Sequence, residues 1–208
     1  LLRSIPAIWS VAMLSTIIMA LAGCTGSRPN KHFVVAIDRS ASTDPIRPEL
    51  CHRFYELVDR AAARKDRLSL WAFDNKPVMI WGPRVPQGTE TFNSIMYREF
   101  LKAPGRRMTR PAVLLREIVN QTYQNTETEP IAICVLTDGD SEIASDELLL
   151  IEVGSELASK PHITLSVIGI KPENRTMWQK AFSRMGNRFN LAGLEEAEQE
   201  IEEISRAL

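Results

Sequence analysis

The 208-residue sequence predicts an α/β fold: a doubly wound, mostly parallel six-stranded sheet with one antiparallel edge strand and helices on both faces. Three observations predict it. Continuous apolar, β-branched runs mark strands buried on both faces. Segments with helical spacing separate those runs, and parallel strands need such crossovers. One pair of strand-like runs is joined too closely for a helix, which predicts an antiparallel edge.

The elements follow in order. Phe33-Val34-Val35-Ala36-Ile37 is the first buried run, and it ends at Asp38. Leu50, Phe54, Leu57 and Ala61 then line one face of a helix that starts near Pro48, since proline is tolerated in a first helical turn. Leu68 to Phe73 is the second strand. Asp74-Asn75-Lys76-Pro77 turns the chain into the edge strand Val78 to Trp81, where Pro77 and Pro83 are acceptable. Residues 84–108 are the least regular, with one short helix suggested by Phe92, Ile95, Met96 and Phe100. Val113, Leu114, Ile118 and Val119 mark a helix after Pro111, and Ile131 to Leu136 the next buried strand. A helix over Ser145 to Leu157, a strand over Ile163 to Ile168 and a helix over Asn174 to Met185 follow. The chain closes on a Glu-rich helix with Leu194, Ala197, Ile201, Ile204 and Leu208 on one face; its carboxylates from Glu195 to Glu203 are expected to be solvated.

Composition narrows the function. With 44% hydrophobic and 25% charged residues, the chain can bury one sizeable core. A formal net charge of −1, with no basic run interleaved with aromatics, argues against nucleic acid as a partner. The 3 cysteines, Cys24, Cys51 and Cys134, lack metal or redox spacing. Cys51 in a helix and Cys134 in a strand read as buried thiols, and an oxidising compartment leaves a disulfide between them open.

The amino terminus reads as an address. An apolar run from Ile5 to Ala22 follows Arg3 and meets the small residues of Leu21-Ala22-Gly23-Cys24. Those four residues resemble a bacterial lipobox, which implies a signal peptide over 1–23 and lipidation of Cys24. An uncleaved membrane helix is the other reading of the run. Residues 24–31 hold the lipidated cysteine and a polar tether, and 32–208 form the domain. Thr25 stands where an aspartate would, by the same resemblance, retain a lipoprotein in the inner membrane. The expected address is therefore the cell envelope, with the outer membrane favoured.

Ligands of open α/β sheets gather beyond the carboxyl ends of strands. Two such ends are rich in oxygen: Asp38-Arg39-Ser40-Ala41-Ser42 and Thr137-Asp138-Gly139. Carboxylates and hydroxyls without His or Cys suit a hard cation, Mg²⁺ or Mn²⁺. The Asp38-x-Ser40-x-Ser42 spacing with Thr137-Asp138-Gly139 at a later strand end resembles the metal-ion-dependent adhesion site (MIDAS) of von Willebrand factor A (VWA) domains, and the element order from His32 to Leu208 is similar to that family throughout. The resemblance implies that Ser40 and Ser42 bind the metal directly while Asp38 and Asp138 act through water or from behind. It also implies a threonine ligand, for which Thr109 ahead of Pro111 is the candidate. Many members have glycine close before that threonine, whereas here Gly105 lies four residues upstream, behind Arg106-Arg107-Met108.

Hydroxyl-dominated coordination leaves a cation under-neutralised and receptive to a carboxylate from a protein or another ligand. Arg39, Arg106, Arg107 and Arg110 are candidates for steering such an acid. Plainer readings exist for each piece: Ser42 or Asp44 as a cap for the helix at Pro48, Asp138-Gly139 as a turn, and Thr109 as an N-cap. Three functions follow: a metal-dependent binding module without catalysis, a metal-independent scaffold, or a Mg²⁺-dependent enzyme resembling aspartyl phosphatases. The last needs a second Asp two residues after the first, where this chain has Ser40. A serine hydrolase lacks its G-x-S-x-G elbow.

Overall fold

Every residue of the first strand, β1 (His32–Asp38), is buried in the computed structural model, as its unbroken apolar run requires. The structure describes residues 30–102, 104–106, 108–122, 129–141 and 144–206. The signal-peptide segment, Cys24, Arg107 and Leu208 lie outside the described residues. Among those described, no helix is long and apolar enough to cross a membrane.

After β1 come α1 (Arg47–Arg64), β2 (Arg67–Phe73), β3 (Val78–Arg84), α2 (Pro111–Thr122), β4 (Ile131–Leu136), α3 (Ala144–Ala158), β5 (Ile163–Ile168), α4 (Arg175–Phe182), β6 (Phe189–Ala192) and α5 (Ala197–Arg206). The six strands lie in the order β3-β2-β1-β4-β5-β6. All neighbours are parallel except β2 and β3, which pair antiparallel at the edge. The expected fold class is therefore the observed one.

Alternation along β1 sorts the two cores. Phe33, Val35 and Ile37 pack with Leu50, Phe54 and Leu57 of α1 and with Ile201 and Ile204 of α5. Val34 and Ala36 point to the other side, against α2 (Leu114, Ile118), α3 (Leu150, Val153) and α4 (Trp178, Phe182). Burying both faces of the central strands explains their nearly continuous apolar runs, with the buried Ser69 and Ser166 as exceptions.

Several boundaries differ from expectation. The edge strand runs on to Arg84, whose guanidinium lies 4.7 Å from the centre of the Trp81 ring. The irregular stretch winds as a 3₁₀ turn (Thr89–Phe92), an α turn (Asn93–Met96) and a π turn (Tyr97–Leu101) instead of one helix. The helix expected over Asn174 to Met185 stops at Phe182, and a 3₁₀ segment broken at Gly186 (φ 60°) leads into β6. The last helix begins at Ala197 because Glu196 turns back, its carboxylate accepting the Gly193 N–H at 2.9 Å. Glu200 is not solvated; it is buried against β5 and accepts the Ser166 hydroxyl at 2.6 Å. Cys51 and Cys134 are both free and buried, and burial pushes the Cys51 thiol up to about 12.

His32 opens β1 at the end opposite Asp38. It is 4% exposed, its Nε2 lies 3.0 Å from the Ser69 hydroxyl, and its Nδ1 has no partner among the described residues. Burial, helped by the nearby Arg67 charge, lowers its pKa from 6.5 to about 4. A folded pKa below the unfolded one contributes stability that is complete above pH 6.5 and is lost as pH falls through the folded value, here up to about 3 kcal/mol. Urea unfolding of His32→Gln should lack this loss between pH 6.5 and 4, and parallel curves for the two proteins would refute it.

Candidate metal centre

The chain leaves β1 toward β2 on one side and returns through β4 on the other, so the carboxyl ends of β1 and β4 flank the point where the winding reverses. Ile37 pairs with Leu136, which sets the next residues, Asp38 and Thr137, side by side. The Thr137 hydroxyl donates to Asp38 Oδ2 at 2.6 Å and itself accepts the Gly139 N–H at 3.0 Å. Thr137 thus acts as a strut between the two oxygen-rich strand ends.

Asp38 is fully buried, and its other oxygen, Oδ1, accepts the Ser40 N–H at 2.7 Å. That bond curls the chain into the 3₁₀ turn Ala41–Thr43. Thr43, buried beneath the turn, donates to the Ser40 carbonyl at 2.8 Å, and the buried Arg47 guanidinium donates to the same carbonyl at 2.6 Å. With its backbone clamped, Ser40 presents its hydroxyl 3.0 Å from that of Ser42. Two oxygens on adjacent corners of an octahedron with metal–oxygen bonds of about 2.1 Å stand about 3.0 Å apart. The Ser40–Ser42 separation is that of a hydrogen bond between the two hydroxyls, and it is also compatible with neighbouring Mg²⁺ ligands.

Thr109 joins the same carboxylate. It is buried, and its hydroxyl donates to Asp38 Oδ2 at 3.2 Å. Spending its proton on Asp38 leaves the oxygen lone pairs for a cation. It is not serving as a helix cap: the first turn of α2 is met by buried Asp146, which accepts the Ala112 N–H at 3.3 Å. Gly105 lets its own loop pass close over the Ala41 turn, since a β-carbon there would stand 2.5 Å from Ala41 Cα.

Burial raises the Asp38 pKa to about 6; the charge of Asp138 adds to the rise, against hydrogen bonds from Thr137 and Ser40. Asp138 is fully buried too, with Oδ1 accepting the Asp140 N–H at 3.2 Å. Its Oδ2 lies 2.8 Å from the ammonium of Lys171, which is also 3.1 Å from Asp140 Oδ2. The Asp138 carboxylate, and after it Asp140, raises the Lys171 pKa. Asn174 ties the loop from below, donating to the Asp138 carbonyl at 3.0 Å and to Asp140 Oδ1 at 2.7 Å. Gly139 turns with φ 82°, and its carbonyl accepts the Trp178 indole N–H at 3.1 Å.

Asp38, Ser40, Ser42 and Thr109 are thus linked by direct hydrogen bonds, while Asp138 stands beside them, turned toward Lys171. Among the described residues there is no group of three or more His, Cys, Asp and Glu arranged to hold a metal, so a cation at this place would need the hydroxyls as ligands. The steering arginines behave differently from expectation. Arg39 is a structural tie, its Nε 2.8 Å from the buried Asp74 and its Nη1 3.5 Å from Glu99. Arg110 is likewise drawn to Asp146 at 3.4 Å. Arg106 bridges to Ser40 through its backbone, and its side chain is 65% exposed with Nη1 3.4 Å from Asp74. Buried carboxylates capture these charges because each would otherwise be left uncompensated.

Sequence reasoning gave no role to Thr137, although it lay within the quoted motif, and missed Thr43, Arg47, Asp140, Asp146, Lys171 and Asn174. Lys171 and Asn174 lie just past the end of β5, so applying the strand-end search there would have found them.

No protein-family model matches the chain, and no curated protein matches it. Solved structures do. An aerotolerance-related membrane protein from Bacteroides fragilis, carrying multiple mutations to serine, is 14% identical over 86% of this chain and 100% of its own, with a TM-score of 0.60. The VWA domain of SpRpn10 is 13% identical over 82% of this chain and 95% of its own, with a TM-score of 0.61. Proximal thread matrix protein 1 from the mussel byssus, solved with a zinc-occupied MIDAS motif, is 12% identical over 98% of this chain and 52% of its own, with a TM-score of 0.64. Strand order, the antiparallel edge and these likenesses agree: the chain carries a domain of the von Willebrand factor A fold.

Proposed function

We propose that this protein is an envelope-anchored lipoprotein whose VWA-fold domain captures an acidic partner through a divalent cation, without catalysis. The observation that carries the reading is the Ser40 and Ser42 hydroxyl pair, 3.0 Å apart, set over an Asp38 carboxylate that two threonine hydroxyls hold in place. Ser40, Ser42 and Thr109 would hold Mg²⁺ or Mn²⁺ directly, with Asp38 and Asp138 behind them. Neutral alcohol ligands leave most of the cation's charge for an incoming carboxylate from a protein or another acid. A zinc-occupied MIDAS in a protein of the same fold supports the metal, and a membrane protein among the similar structures supports the envelope. The Leu21-Ala22-Gly23-Cys24 sequence supports the lipid anchor at Cys24.

Magnesium at millimolar concentration should raise the melting temperature of the full chain in detergent, because a ligand bound only by the folded state stabilises it. An unchanged melting curve with both Mg²⁺ and Mn²⁺ would overturn the metal reading. A metal-independent scaffold is then the alternative, and the Lys171 ammonium at 2.8 Å from Asp138 is the observation that favours it. A phosphatase-like enzyme has less support, since Ser40 stands where a second carboxylate would be needed for proton transfer.

A further inference from the structure

Lys171 is the one cation within hydrogen-bonding distance of the Asp138 carboxylate among the described ion pairs. We propose that Lys171 is a tethered counter-ion that sets the metal affinity of this centre by neutralising Asp138. The inference rests on the adhesion-site reading and deepens it.

Asp138 Oδ1 accepts the Asp140 N–H at 3.2 Å, whereas Oδ2 accepts no hydrogen bond among the described residues and is paired by charge with the Lys171 ammonium at 2.8 Å. A divalent ion that draws on Asp138 must displace this ammonium or bind beside its positive charge. The carboxylates near the centre are Asp38, Asp138 and Asp140, and Lys171 offsets one of the three. Arg39 and Arg106 do not contribute in the same way, because both are drawn to Asp74.

The ammonium is not needed to hold the loop. The Lys171 backbone N–H already bonds the Asp138 carbonyl at 3.0 Å, and Asn174 binds the same carbonyl at 3.0 Å. The Lys171 side chain is 37% exposed, so it can swing into water when a divalent cation takes over Asp138. The arrangement offsets one carboxylate of the metal-free centre and so lowers its metal affinity.

The test is calorimetric titration of the full chain in detergent with MnCl₂ alone. Lys171→Met should bind Mn²⁺ roughly tenfold more tightly than the natural protein, the scale expected for removing one like charge from a half-buried site. Lys171→Arg, which keeps the charge, should stay within about twofold of the natural protein. Unchanged far-UV circular dichroism would establish that both variants fold. Equal Mn²⁺ affinity in Lys171→Met and the natural protein, or weaker affinity in Lys171→Met, overturns the counter-ion proposal while leaving the adhesion site standing. No Mn²⁺ binding by any of the three overturns the adhesion-site reading and the counter-ion with it.

Discussion

With Asp38 replaced by alanine, magnesium should no longer raise the melting temperature. At a metal concentration 100-fold above Kd, binding as proposed would stabilise the natural protein by about 2.7 kcal/mol, a rise of roughly 5–10 °C for a domain of this size. Asp38 is where the Thr109, Thr137 and Ser40 bonds converge, so its loss releases three of the groups that shape the centre. In the metal-free protein two effects oppose each other. The substitution orphans buried donors, yet it also removes a carboxylate whose ionisation is disfavoured by burial.

The same shift fixes the pH dependence. The folded pKa of about 6 lies above the ordinary 3.8, so protonation of Asp38 stabilises the metal-free fold and that gain is lost as pH rises through 6. A bound metal requires the ionised form. The magnesium-induced rise should therefore be full at pH 7.5 and shrink below pH 6, as scanning calorimetry at both values would read. A rise in Asp38→Ala equal to that of the natural protein would dissociate this carboxylate from the metal.

Trp178→Ala should cost about 4 kcal/mol, the scale for deleting a fully buried large aromatic, and lower the melting temperature by roughly 8–16 °C. Trp178 has no exposed surface, stacks on Phe182 with ring centres 5.7 Å apart, and donates to the Gly139 carbonyl. It therefore fastens the Thr137-Asp138-Gly139 turn to the packing of α4 against the sheet. Trp178→Phe keeps most of the packing and loses the hydrogen bond, which should cost about 1–2 kcal/mol. Urea unfolding measures both, and a loss under 1 kcal/mol for the alanine variant would show that the core closes over the gap.

Much of this architecture was legible because its strands are buried on both faces. β4 and β5 match the runs Ile131 to Leu136 and Ile163 to Ile168 residue for residue. No run announced β6: its four residues, Phe189-Asn190-Leu191-Ala192, are half-buried for the first three and mix polar with apolar. The site followed the same logic. Ser40, Ser42 and Asp38 are close in sequence and could be grouped by spacing, whereas Thr109 reaches Asp38 across 71 residues of chain. The fates of Arg39 and Arg110 were hidden because the carboxylates that capture them, Asp74 and Asp146, sit in other loops and helices. Lys171 lies past the end of β5, and the pairing of β5 with β4 is what brings it beside Asp138.

The opening strand also sets an orientation. β1 enters the sheet at His32 and emerges at Asp38, so its first and last residues stand on opposite poles, roughly 20 Å apart at the rise of an extended chain. Lys31, just before it, is held at the far pole by the final carbonyls of α5, donating to Ile204 at 3.1 Å. Any support that grips the polypeptide ahead of this point would carry the domain like a lamp on a stalk, with the serine hydroxyls on the crown and the distance outward set by the domain's own height.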